Sequence, residues 1–372
     1  MLKHIKVLDL SRILAGPVCT MMLGDMGADV LKIERSDGGD ETRGWGPPFN
    51  HDGESAYYMS VNRNKLGAAL DFGNPADRDL VALLMTEADV VVENFRPGAL
   101  ARRGLDAQTA RTRHPRLVWC TIASFADEPN RPGYDLLVQA ESGWMSITGD
   151  PNGAPMKHGI ALADVLAGKD AAIAILGALV GRDRTGQGAT LTITLSRSAE
   201  AALVNVAQNT LVTGSAPRRW GNAHANLVPY ELFEAADRAI VIAAGSDAQW
   251  LRCARALELA ELADDAELRT NAGRLAQRER VVGSIRATIR GRTAAEWRVV
   301  LDLAGVPNGV VRTVPEVLDA SDASAATGMP ASVPGRVRLN PPRLGEHTQI
   351  VRERGWGAFD EDLVAPKYAG HE

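Results

Sequence analysis

The residue best placed to do chemistry is Asp164. In Gly159 to Gly188, GIALADVLAGKDAAIAILGALVGRDRTGQG, this acidic residue stands at the entrance to a long apolar run. An aspartate is ionised at neutral pH without help, so unlike a serine it needs no partner base to act as a nucleophile. Aspartate is also a preferred helix N-cap, since its side chain accepts orphan N–H groups of the first turn and its charge gains from the helix dipole. Spacing alone reads Asp164 as a cap, and one carboxylate can serve both roles. The elements that must hold it come next. From Val165 to Val180 the residues are almost all Ala, Leu, Ile, Val and Gly, with Lys169 and Asp170 the only charged pair. That pattern predicts a helix buried on most of its circumference, a rigid mount.

Upstream, β-rich and helix-like segments alternate. Ile5 to Leu10 and Asp29 to Glu34 flank a helix-like stretch around Val18 to Met26, and Ala68 to Phe72, Asp89 to Glu93 and Leu117 to Ile122 read as further strands. A helix is expected over Pro75 to Glu87. This order predicts an α/β fold with a Rossmann-like, doubly wound parallel sheet. No G-x-G-x-x-G follows the first strand, so the order does not imply NAD. After Gly188 a strand, Ala189 to Thr194, and a long helix through roughly Thr213 complete the lobe. Tyr230 to Phe233 and Ala239 to Ala243 then read as paired strands of a smaller α+β domain. The expected domains are 1–224, completed by 341–372, and 225–340.

Composition narrows the function classes. A chain of 372 residues is too long for one ordinary core. Its 41 basic and 46 acidic residues are interspersed, which argues against nucleic acid or an anionic membrane as partner. Cys19, Cys120 and Cys253 are far apart and lack metal-ligand spacing, so neither a metal nor a disulfide is expected. No stretch approaches 18 apolar residues, and a cytoplasmic location is the default.

The chain resembles the family III CoA-transferases on several blocks. Gly159, Asp164 and Gly168, then Arg182, Thr185, Gly186 and Gly188, match the family's G-x-x-x-x-D-x-x-x-G and R-x-x-T-G-x-G patterns. The resemblance implies that Asp164 is the catalytic nucleophile and that coenzyme A or acyl-CoA is a substrate, with no permanently bound cofactor. Leu8 to Arg35 is similar to the family's first βαβ unit. This places Arg12, Leu14 and Ala15 in the active-site loop and Arg35 at the adenine or phosphate end of CoA. CoA carries three phosphate groups, which suit the planar donor fork of arginine. Asn94 to Gly98 resembles the turn bordering the pantetheine, with Phe95 in it and Arg102, or Arg103 one position on, near the diphosphate.

Gly133-Tyr134-Asp135 discriminates within the family. The racemase branch has histidine at the central position, because moving an α-proton needs a second base near neutral pKa. Tyr134 favours transfer of CoA and is expected to wall the acyl pocket, while Asp135 reads as structural. Arg218 to Tyr230, RRWGNAHANLVPY, is similar to the block of the succinate/glutarate-type branch, and Arg219 and His224 are candidates for a distal carboxylate. The implied reaction moves CoA reversibly from an acyl-CoA donor, with succinyl-CoA one candidate, to a carboxylic or dicarboxylic acid. The implied assembly is an interlocked homodimer. An acyl-CoA racemase of the same family and a non-catalytic CoA-binding protein stay open as alternatives.

Overall fold

A computed structural model describes residues 1–360; residues 361–372, part of the segment expected to complete the large domain, lie outside the described residues. The chain divides into two compact units. Of the described residues, the first unit holds 1–144, 157–214 and 318–360, and the second holds 145–156 and 215–317.

The first unit is built on six parallel strands: β1 (Lys6–Asp9), β2 (Asp29–Glu34), β3 (Lys65–Ala69), β4 (Val90–Glu93), β5 (Val118–Ala123) and β6 (Thr190–Thr194). Their order is β3-β2-β1-β4-β5-β6, the doubly wound arrangement whose switch point lies between β1 and β4. Its helices are α1 (Ala15–Asp25), α2 (Ala56–Met59), α3 (Pro75–Glu87), α4 (Ala107–Arg113) and α5 (Asp135–Glu141), then, after α6 (Trp144–Ile147) at the chain boundary to the second unit, α7 (Leu162–Thr185), α8 (Leu195–Ala201) and α9 (Val204–Thr213). Alternate strand residues feed two cores. Val7, Val30, Val90 and Cys120 pack with Ala15, Cys19, Ala167 and Ile175 of α1 and α7. Leu8, Leu31, Val91 and Trp119 pack with Val81 and Leu84 of α3 and with Val351 and Trp356. Strands buried on both faces in this way read as continuous Val, Leu and Ile runs.

Several expectations needed adjustment. The third strand runs over Lys65–Ala69 rather than Ala68 to Phe72, in parallel register with β2 from Val30↔Lys65 onward. Its polar approach, Asn62-Arg63-Asn64, is a turn whose side chains are buried and hydrogen-bonded. The long helix after β6 is two helices, α8 and α9, and Val204 at the break has φ 37°. The α7 helix is buried on one face only; Lys169, Ile173, Gly177 and Val180 form an exposed stripe along it.

The second unit carries an antiparallel sheet, β7 (Tyr230–Glu234), β8 (Ala239–Ala243) and β9 (Asn308–Val310). Its core joins Phe233, Ile240 and Ile242 to Trp250, Ile285 and Trp297. Among the described residues no helix is long and apolar enough to cross a membrane.

Candidate active site

Asp164 is the third residue of α7 and does not cap it. The N-cap position is Ala161, with no side-chain cap bond of its own. The capping carboxylate is Asp135, at the start of α5, whose Oδ1 accepts the N–H groups of Ala163 (2.8 Å) and Asp164 (3.3 Å). Gln139, fully buried one turn later, donates Nε2 to Asp135 Oδ2 at 2.5 Å and accepts the His158 N–H at 2.7 Å. With the cap supplied from α5, the carboxylate of Asp164 is left for other work.

Burial, and then the charge of Asp135, push the Asp164 carboxyl up to about 7. This corrects the expectation of unaided ionisation: a half-buried carboxyl with a like charge beside it titrates near neutrality. Tyr57 also belongs to this neighbourhood, although its sequence context marked only a loop. It packs against the cluster of Leu14, Val18 and Met22 that also receives Ala161. Its phenol is raised to about 12 by burial and by the charges of Asp164, Asp135 and Asp40.

The motif glycines fix where Asp164 sits. A Cβ on Gly168 would lie 2.5 Å from the carbonyl oxygen of Ala15, so only glycine lets α7 approach the first residue of α1 this closely. At the far end, Arg182 pairs with Asp89 at 2.9 Å and Gly186 closes the helix with φ 69°. A Cβ on Gly188 would meet the Leu117 carbonyl oxygen at 2.0 Å. Ala15 and Gly16 open α1 with orphan N–H groups, whereas Pro17 has none to give.

The loops after β1 and β4 meet at the switch point. Asn94 accepts the Arg12 N–H at 3.0 Å and donates to the Arg12 carbonyl at 2.8 Å. Beyond them, at the C-terminal ends of the strands, opens a cavity of about 420 Å3. Five arginines line it, Arg12, Arg35, Arg96, Arg102 and Arg103, together with Phe95. The Arg12 guanidinium lies over Phe95 at 5.3 Å and pairs with Glu41 at 2.5 Å, while Arg35 Nε donates to the Gly39 carbonyl at 2.9 Å. Glu34, Asp37, Asp40 and Asp71 also border the cavity.

Four of the expected CoA residues, Arg12, Arg35, Phe95 and Arg102, are thus brought to one cavity; Arg103, the alternative to Arg102, lines it as well, and Arg96 joins them unforeseen. Asn94 holds the loop backbone rather than facing the cavity. Leu14 and Ala15 are buried in packing, and Asp164 does not line the cavity. The link between the two places is the 12–16 loop, with Arg12 at the cavity and Ala15 under Gly168, one turn beyond Asp164. Tyr134 is the N-cap residue of α5 and is 57% exposed, so it is not a core tyrosine.

Arg219 and His224 lie in the second unit. Arg219 donates to the carbonyls of Asp150 (3.0 Å) and Gly153 (2.7 Å). His224 accepts the Asn226 N–H at 3.0 Å and its ring lies 5.1 Å from that of Tyr230. Beside them, the guanidiniums of Arg218 and Arg278 lie 3.8 and 4.9 Å from the ring of Trp220.

Comparison with known proteins places this geometry. Residues 2–334 match the model of CoA-transferase family III. The chain is 37% identical over 380 residues to the succinate–glutarate CoA-transferase of Agrobacterium fabrum, covering 95% of each. It is 37% identical to the succinyl-CoA:glutarate CoA-transferase of Mus musculus, covering 100% of this chain and 91% of the relative. A crystal structure of a CaiB/BaiF family protein from Brucella suis superposes with a TM-score of 0.84 at 35% identity, covering 95% of this chain and 98% of that one.

Proposed function

Because the chain belongs to CoA-transferase family III, we propose that it moves CoA from succinyl-CoA to a dicarboxylic acid through a thioester on Asp164. The observation that carries this reading is the half-buried Asp164 at the start of α7, its carboxylate spared capping duty by Asp135 and its helix set against the first residue of α1 at Gly168, one turn further on. The donor and the acceptor class rest on the relatives, which exchange succinyl-CoA with glutarate by name.

In the first step an ionised Asp164 oxygen attacks the thioester carbonyl, and the C–S bond breaks to give a mixed anhydride and CoA thiolate. The thiolate then attacks the aspartyl carbonyl, forming the Asp164–CoA thioester and releasing the donor carboxylate. The acceptor carboxylate reverses both steps and regenerates the aspartate. Each tetrahedral intermediate places a negative oxygen near Asp164, where the orphan N–H groups of Ala15 and Gly16 are the donors we assign to it. Tyr134 is assigned to the acyl wall.

The arginines of the cavity are assigned to the phosphates of CoA, with Phe95 as a platform for adenine. Arg219 and His224 are assigned to the distal carboxylate of the acceptor. We also assign a homodimer. The exposed Ile173 and Val180 on α7, and the absence of any buried residue on the apolar helix α9, leave a surface for a second chain to cover. The unpaired cysteines fit a reducing compartment such as the cytoplasm.

Incubation with succinyl-CoA followed by hydroxylamine should convert Asp164 to the hydroxamate, and Asp164→Ala should abolish both the adduct and the exchange with glutarate. Full transfer by Asp164→Ala overturns the mechanism.

A further inference from the structure

Away from the reacting carboxylate, a buried ion pair lies beneath the loop that joins β1 to α1. Ile13 in that loop has φ 71°. This left-handed conformation is strained for a β-branched residue. It persists only where surrounding groups hold it, and here each neighbouring backbone group is held. The Ser11 N–H donates to Asp9 Oδ1 at 2.9 Å, and the Ser11 carbonyl accepts Lys32 Nζ at 2.8 Å. Asn94 brackets Arg12 from both sides. The strained Ile13 N–H donates to Asp40 Oδ2 at 3.1 Å.

Two of the three charged members of this clamp, Lys32 and Asp40, are themselves paired, while Asp9 pairs with Lys65. Lys32 Nζ lies 3.2 Å from Asp40 Oδ2, and both side chains are fully buried. Asp40 is fixed further by the N–H and hydroxyl of Thr42, at 3.0 and 2.8 Å. A buried ion pair is weak evidence for stability, because desolvation of two charges offsets their attraction. Its geometry is informative instead: each partner has one bond to the other and one to the Ser11–Ile13 backbone, directly before the N–H groups that open α1.

We propose that Lys32 and Asp40 are positioning residues for CoA transfer, holding the Ser11–Ile13 backbone so that the N–H groups of Ala15 and Gly16 face the oxyanion formed at Asp164. The inference rests on the functional reading above. Neither side chain touches substrate; both act through the loop.

The test is Asp40→Asn, which keeps an oxygen for the Ile13 N–H and removes the charge facing Lys32. The expected result is a loss of about tenfold to hundredfold in kcat, as for a displaced oxyanion donor, with the KM for succinyl-CoA changed by less than about threefold. Ile13→Gly in that background should restore part of the lost kcat, because glycine takes this φ without strain. If Asp40→Asn does not fold, Asn94→Ala, which leaves the ion pair in place, should show the same split between kcat and KM. An unchanged kcat, or equal losses of kcat and succinyl-CoA affinity, overturns the proposal. Asp164→Ala run alongside separates the two readings. Full transfer by that variant removes the mechanism itself, whereas a silent Asp164→Ala with a wild-type Asp40→Asn removes only the clamp.

Discussion

Replacing Asp135 by asparagine isolates the electrostatics of Asp164, the proposed nucleophile. An asparagine oxygen can keep the bonds to the N–H groups of Ala163 and Asp164, now 2.8 and 3.3 Å, while the negative charge is lost. Asp164 stands at about 7 through burial first and Asp135 second, so removing the second cause lowers it without restoring an exposed aspartate. Taking roughly 6 Å between the charges and an effective dielectric of about 20 to 40, their repulsion is about 1.5–3 kcal/mol. Each 1.4 kcal/mol, about one pH unit, moves a midpoint accordingly. Transfer to Asp164 needs the carboxylate, so its rate falls as pH drops through the midpoint. At about pH 6 roughly a tenth of wild-type Asp164 is ionised, against half or more in the variant, which predicts about a fivefold faster first step there and equal rates near pH 8. The assay is a rapid-quench single turnover with succinyl-CoA, reading the enzyme–CoA adduct by intact mass across this pH range. The variant costs about 1 kcal/mol through the displaced Gln139 contact, which thermal unfolding will register. The same midpoint in both proteins refutes the role given to Asp135, and a flat wild-type profile refutes the raised carboxyl.

The same pKa carries a stability prediction. A folded value of about 7, above the usual carboxylate range, means that folding favours the protonated form, so Asp164 destabilises the protein increasingly as pH rises to about 7. Asp164→Asn should therefore gain about 2–4 kcal/mol at pH 8 and nearly nothing at pH 4, read as a rise in Tm at the higher pH alone. Arg35→Ala should raise the KM for succinyl-CoA about tenfold with kcat nearly unchanged, the loss of one charge-assisted contact at a partly exposed site. Gly168→Ala puts a methyl 2.5 Å from the Ala15 carbonyl oxygen; it should cost about 1–3 kcal/mol in unfolding experiments and lower kcat as α1 is pushed away from Asp164.

What could be read from the sequence followed from how local each determinant is. The βαβ order, the exact span of α3 with Asn74 as its cap and Pro75 at its first position, and the pairing of β7 with β8 all rest on neighbours within a few residues. Arg12, Arg35, Phe95 and Arg102 are named from the family resemblance alone, and they reach one cavity because a doubly wound sheet gathers the loops after its strands on one edge. The sequence leaves Arg102 and Arg103 as alternatives, and both line the cavity, while Arg96 is missed because its place in the loop after β4 carries no periodicity to say where it faces.

The harder cases share one cause. Asp164 looked like a cap because the sequence shows an acid before an apolar helix; it cannot show that Asp135, 29 positions earlier, already occupies that role. Lys65 sits in a charged stretch, yet it is a strand residue, fully buried against Asp9 at 2.9 Å and Asn62 at 3.0 Å. In each case the charged partner, Asp135 for Asp164 and Asp9 for Lys65, is remote in sequence, and the carboxylate or ammonium has an identity but no recorded environment. Environment is what distinguishes a capping Asp135 from a titrating Asp164. Two aspartates of the same ordinary acidity enter one site, and only the fold, by hydrogen-bonding the first and half-burying the second, gives one a capping role and leaves the other free for the acylation proposed above.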